Sequence, residues 1–367
     1  MISPLWPVPV SGALTGLRVV DLSQQLPGPY STFLLAELGA SVIKVEPPGG
    51  DLARRVDAAM YEQLNAAKRV IELDLKSHAG RDTLRQLVIE AGAVLEASRP
   101  GVVQRLGADP ETLSGLNPHL IYCSLTGYGQ RGPLASRGAH DLNIQAAIGA
   151  LDQIGDGMDR VGVAWADLAA GMMAALAVTA AWHGGQAGLI DLGMLDVAAS
   201  WATLKPGALT DREPVYGTVT SRDGQRFAIA VLEDPVWQRL CVALGWTDWV
   251  DDSHFESPRD RRAHGPEIRA RLDATIAGLD AARVDELARS ADLPLTAFAP
   301  AAPAATEQLT MRGFGGGPRF HVPVPVPWSS ALEPVTIAEA YAPVATSPRN
   351  YVATFEAGIG EVSIEVE

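Results

Sequence analysis

Asp167 is the residue in this chain best placed to do chemistry. It stands in the run Val161 to Trp182, which carries no other charged side chain. An unpaired buried carboxylate costs on the order of several kcal/mol, so such a residue needs a reason to be there. One reason is structural: an acid in the first turn of a buried helix is favoured by the helix dipole. The other is catalytic: desolvation shifts the pKa of a carboxylate into the range useful for nucleophilic or proton-transfer work. A second segment, Gly138-Ala139-His140-Asp141-Leu142-Asn143, sets an imidazole beside a carboxylate. Such a neighbour pair is either a satisfied structural contact or a base with its orienting acid.

The elements that must position these groups alternate in type. Leu17 to Leu22 reads as a buried strand, followed by Pro27-Gly28-Pro29 and a helix from Tyr30 to Leu38, with Gly39 as its C-terminal cap. Ser41 to Glu46, Val70 to Leu75, Ala93 to Glu96 and Leu120 to Leu125 read as further strands. A helix from about Ser77 to Ala91 lies between two of them. This order predicts βαβ units and a mostly parallel, Rossmann-like sheet. The first strand-to-helix turn, Ser23 to Gly28, lacks GxGxxG, which argues against a nicotinamide dinucleotide. Leu168 to Trp182 reads as a buried helix too short to span a bilayer. From about Lys205 the pattern changes. Tyr216 to Thr220 and Arg226 to Val231 flank Asp223-Gly224, a hairpin signal. Helices follow near Pro235 to Leu244, Gly265 to Ala277 and Ala281 to Ser290, and Leu293 to Pro327 reads as a long loop. The expected organisation is therefore α/β. A large Rossmann-like domain comprises residues 1–204 and about 325–367, and a smaller α+β domain comprises residues 205–324.

Composition narrows the function classes. The chain has 367 residues, 47% hydrophobic and 20% charged, with a formal net charge of −14. An acidic chain of this kind is not expected to bind nucleic acid. Two distant cysteines, Cys123 and Cys241, give no disulfide framework and fit a reducing cytosol. The histidines show no metal-binding spacing, so no metal is expected. Met1 to Pro4 shows no signal-peptide pattern, and a cytoplasmic protein without a membrane partner is expected. Three of the four lysines, Lys44, Lys68 and Lys76, lie near Arg54, Arg55 and Arg69. They form either an ordinary solvated face or a positive rim for a phosphorylated ligand.

Several motifs in order resemble the family III CoA-transferases, a superfamily that also holds 2-methylacyl-CoA racemases. They are Asp21-Leu22-Ser23 with Pro27-Gly28-Pro29, Leu38 to Asp51, Leu64 to Arg69 with Leu73 to Lys76, and Arg99-Pro100-Gly101-Val102. Leu120 to Gly129 and His140-Asp141-Leu142-Asn143 complete the set. The resemblance runs from Gly16 to about Ser200 and resumes, more weakly, from Tyr216 to Leu244. It departs in the short stretch between Gly188 and Tyr216, in Gly184-Gly185-Gln186, and in the absence of a Pro-x-Leu-Gly-x-His segment near Ala342 to Thr346. No run of glycines follows the hairpin.

The resemblance implies a coenzyme A thioester as substrate, a carboxylic acid acceptor and an interlocked homodimer. Under the transferase reading, Asp167 attacks the thioester carbonyl, and an aspartyl-CoA intermediate follows. Under the racemase reading, Asp167 and His140 exchange the α-proton of the acyl group from opposite faces, with Glu233 as a supporting acid. The flanks Ala166 to Gly171 favour transfer, and His140 and Glu233 favour racemisation. A third alternative, suggested by the atypical C-terminus, is a non-catalytic acyl-CoA-binding homologue. For the CoA phosphates, Arg99 is the first candidate because guanidinium grips phosphate with two hydrogen bonds. Lys76 and Arg69 follow, then Lys44 and Arg105. The positions around Leu26 and Pro47, polar or basic in some transferases, are apolar here.

Overall fold

The structure, a computed structural model, describes residues 6–7, 12–151, 163–204 and 213–298. Two compact units divide these residues, one ending at Leu204 and the other following it. The expected return of the chain to the large domain after about residue 325 lies outside the described residues, as does Gly315-Gly316-Gly317.

The first unit opens with β1 (Arg18–Asp21), α1 (Pro27–Glu37), β2 (Ser41–Glu46), α2 (Ala53–Val56), α3 (Ala58–Asn65) and β3 (Arg69–Glu72). It continues through α4 (His78–Glu90), β4 (Ala93–Glu96), α5 (Val102–Leu106), α6 (Pro110–Ser114), β5 (Ile121–Thr126) and α7 (Asp141–Ala147). It ends with α8 (Trp165–His183), β6 (Gly188–Gly193) and α9 (Met194–Leu204). The six strands form one parallel sheet in the order β3-β2-β1-β4-β5-β6. The chain moves outward from β1 to β3 and returns to place β4 beside β1. Such a reversal opens a crevice at the carboxyl ends of those two strands, where open α/β sheets bind ligands.

The inner strands β2, β4 and β5 are covered on both faces and buried along their whole length, with their apolar side chains joined by a few buried polar ones. Ser77 caps α4 by accepting a hydrogen bond from the Gly80 N–H (3.0 Å), and Gly39, at φ +101°, ends α1. β6 was not expected from the sequence. It is an edge strand, with Leu189 53% exposed, so its pattern does not read as a core strand. Helix α8 begins earlier and ends later than expected. Its 19 residues are long and apolar enough to cross a membrane by length and composition, which corrects the shorter span. One face packs into the main core through Ala166, Ala170, Ala174 and Val178. The opposite face leaves Met172 and Leu176 exposed.

The second unit contains β7 (Tyr216–Thr220), β8 (Arg226–Ala230), α10 (Asp234–Ala243), α11 (Thr247–Val250), α12 (Pro258–Ala263), α13 (Gly265–Ala277), α14 (Ala281–Ser290) and β9 (Leu295–Ala297). β7 and β8 pair antiparallel about the Asp223-Gly224 turn, where Gly224 adopts φ +85°. β9 adds to β8 antiparallel, so the segment expected to be loop from Leu293 begins with a strand. Trp237, Trp246, Trp249 and Phe255 fill the core of this unit, with Trp249 and Phe255 ring centroids 4.3 Å apart.

Candidate active site

Asp167 is the third residue of α8. Gly171, one turn further along the same face, lies against the start of α1; a Cβ there would sit 2.5 Å from the Pro27 carbonyl oxygen. Asp167 therefore lies one turn before the point where α8 meets the start of α1. It does not cap its own helix. Asp141, the first residue of α7, does so from 25 residues away: its Oδ1 accepts the Ala166 N–H at 2.8 Å and the Asp167 N–H at 3.2 Å. Its Oδ2 accepts from Gln145 Nε2 at 2.5 Å. Among the described residues, no donor is hydrogen-bonded to the Asp167 carboxylate. Burial first, and the negative charge of Asp141 second, push its pKa up to about 7. Asp167 is thus a carboxylate held near neutrality at the positive end of a helix.

His140 immediately precedes α7 as its N-cap, and its backbone N–H donates to Asn143 Oδ1 at 3.0 Å. Its side chain is exposed. The 138–140 segment rests on the loop after β4 and on the start of its own β5–α7 connection. A Cβ at Gly138 would collide with the Arg99 guanidinium, and a Cβ at Gly127 would sit 2.7 Å from that of Ala139. Glycine at both positions lets the loops close on one another.

Arg99 is exposed in the loop after β4, and Arg105 Nη1 folds back to 3.6 Å from where a Gly101 Cβ would lie. Both guanidiniums therefore border one loop at the carboxyl end of β4. Lys76 is exposed ahead of α4, and Arg69 is half-buried in β3. The placement of Lys44 departs from the expectation of a phosphate ligand. It is fully buried, with Nζ 2.9 Å from Asp51 Oδ2 and donating to the Ser23 carbonyl at 2.8 Å. Its cation is neutralised by Asp51, and no part of the side chain reaches the surface. Lys68, also buried, joins Asp21 Oδ2 (3.2 Å), Asn65 Oδ1 (2.9 Å) and the Pro29 carbonyl (2.8 Å). Asp51 accepts the Gln25 N–H at 3.1 Å, where Gln25 adopts φ +68°. The basic cluster of the sequence thus splits into exposed cations and a buried pair that clamps the β1–α1 turn.

Glu233 belongs to the second unit. It is the exposed N-cap residue of α10, and its carbonyl accepts the Trp237 N–H at 3.0 Å. A cavity of about 390 Å³ in the first unit is lined by Glu96, Gln104, Ser124, Gln130, Arg131 and Asp191 among others; Asp167 and His140 do not line it. Among the described residues, no group of three metal-binding side chains occurs.

Two roles escaped the sequence reading. The capping of α8 by Asp141 has no local signal, because the partners are distant in sequence. The polar row Glu96, Ser124 and Asp191 across β4, β5 and β6 shows only once the register Glu96↔Ser124↔Asp191 is known.

A doubly wound sheet with a partly buried carboxylate in the first turn of a helix has the layout of an α/β enzyme that binds its ligand at the carboxyl ends of the strands. The chain belongs to CoA-transferase family III, whose family model matches residues 14–315. It is 36% identical over 290 residues to a succinate–glutarate CoA-transferase from Agrobacterium fabrum, covering 70% of this chain and 72% of that protein. It is 33% identical over 255 residues to the human alpha-methylacyl-CoA racemase, covering 64% and 65%. The solved structure of Rv3272 from Mycobacterium tuberculosis superposes with a TM-score of 0.75 at 30% identity, covering 83% of this chain and 87% of that one.

Proposed function

We propose that this protein is an acyl-CoA:carboxylate CoA-transferase that works through an aspartyl-CoA thioester on Asp167. The observation that carries the reading is the placement of that carboxylate: in the first turn of α8, with no donor on its oxygens among the described residues. Asp167 attacks the thioester carbonyl and expels the CoA thiolate, leaving a mixed anhydride. The thiolate attacks the aspartyl carbonyl and releases the first acid. The acceptor carboxylate then displaces the thiolate, and the thiolate returns to the acceptor carbonyl, freeing Asp167 and a new thioester. The dipole of α8 favours the negative charge that develops next to Asp167. Similarity to a succinate–glutarate CoA-transferase supports the reaction class.

In this reading Arg99, Arg105, Lys76 and Arg69 hold the CoA phosphates. The interlocked pair of subunits that the family resemblance implies would cover the outer face of α8, where Met172 and Leu176 are 47% and 60% exposed. Racemisation is the second reading, and His140 beside Asp141 at the mouth of α8 is what favours it. Intact-protein mass spectrometry after incubation with acyl-CoA tests the proposal. A gain of one coenzyme A less one water is expected, absent from Asp167→Ala. The same spectrum without an adduct, from enzyme that turns over, would contradict it.

A further inference from the structure

Glu96 ends β4 and is 1% exposed, yet it is neither a core residue nor one of the chemical groups so far invoked. It meets two loops at once. Its Oε2 accepts the Ser98 N–H at 2.7 Å, fixing the peptide that leads into Arg99. Its Oε1 accepts the Ser124 hydroxyl from β5. Ser124 Oγ accepts in turn from Gln130 Nε2 at 2.7 Å, and the Gln130 N–H donates to Asp191 Oδ1 at 2.9 Å on β6. One buried carboxylate therefore anchors the loop after β4 directly and the loop after β5 through Ser124. The 138–140 segment is the end of that second loop, and it packs on Arg99 at Gly138 and on the loop's own start, Gly127, at Ala139.

We infer that Glu96 is a positioning residue for coenzyme A recognition, setting Arg99 against the His140 segment through Ser98 and Ser124. The inference rests on the transferase reading only in taking Arg99 as a ligand of the CoA phosphates. The chemistry needs a carboxylate-shaped group with two acceptor oxygens, because an N–H and an O–H both point at it. Glutamine offers one acceptor oxygen and turns an amide donor toward one of these donors. Glu96→Gln is therefore the informative change, since it keeps size and burial while undoing one of the two anchors. Gly101, at φ +86°, lets the chain turn sharply after Arg99, so the Ser98 contact is the fixed point upstream of that turn.

The test is calorimetric titration of the full-length protein with coenzyme A, on wild type, Glu96→Gln, Arg99→Ala and the double variant. Glu96→Gln is expected to weaken coenzyme A about tenfold alone and less than twofold in the Arg99→Ala background, because both changes act through one guanidinium. In turnover, KM for the acyl-CoA rises while kcat holds within about twofold. Equal losses in both backgrounds, or unchanged affinity in Glu96→Gln, would overturn the inference. If Glu96→Gln does not fold, Ser124→Ala removes the same hub from the β5 side and is read in the same way. Wild type that fails to bind coenzyme A at all would instead count against the transferase reading.

Discussion

Asp141 holds the N–H of Asp167 itself, at 3.2 Å, together with that of Ala166 at 2.8 Å. One carboxylate thus completes the start of the helix that carries the other, and its charge sits where it discourages ionisation of its neighbour. The pair divides the work: Asp141 satisfies the backbone, and among the described residues the Asp167 carboxylate has no donor.

Asp141→Ala is expected to move the acid limb of the pH profile of kcat/KM downward from about 7. The limb stays above the ordinary carboxylate range, because burial is the larger cause and remains. Loss of the cap costs about 1 kcal/mol, which urea unfolding would show. An unmoved limb would mean that Asp141 does not influence the reacting group.

Asp167→Ala and Asp167→Asn should abolish activity. Stability carries a separate signature. The folded pKa lies above the unfolded 3.8, so the wild type keeps this contribution in full below pH 3.8 and loses it as pH rises through 7. Asp167→Asn lacks that loss. At pH 8 it should be the more stable protein by about 1–2 kcal/mol, allowing for partial exposure of the site. Urea titrations at pH 5 and pH 8 compare the two directly.

His140→Ala separates the chemistries. Under CoA transfer it weakens turnover without abolishing it, by less than the ~10²–10⁴-fold that a lost proton-transfer group removes. Under two-base racemisation it abolishes α-proton exchange. Near-normal exchange in the variant would sink the two-base mechanism.

Lys68→Met should destabilise the protein by about 3 kcal/mol, since it leaves Asp21 charged and buried without its partner. Burial opposes ionisation of Asp21, yet Lys68, Lys44 and the hydroxyls of Ser23 and Thr32 outweigh it and hold the carboxyl at about 2. That stability is present above pH 3.8 and lost as pH falls through 2. Acid unfolding of wild type and Lys68→Met, followed by circular dichroism, should show the variant unfolding at higher pH.

The sheet was legible where β-branched and apolar residues cluster between turn signals, as in Ser41 to Glu46 and Ala93 to Glu96. It was not legible in Gly188–Gly193, an edge strand whose exposed positions break that pattern. Asp167 stood out because a charge in an apolar helix is unusual by itself. Lys44 misled because lysine reads as surface, and only the fold brings Asp51 to its ammonium group. The cap from Asp141 and the anchoring of two loops by Glu96 are long-range contacts, which neither spacing nor periodicity encodes.

The most direct test of CoA transfer at Asp167 uses one tube. It holds the protein, an (R)-2-methylacyl-CoA and a panel of free carboxylic acids in D2O, with every thioester read by mass spectrometry. A new thioester built on a panel acid is expected, absent with Asp167→Ala. A one-deuteron gain in the starting thioester, with no acid exchanged, would contradict it and make His140 the partner base of an isomerase.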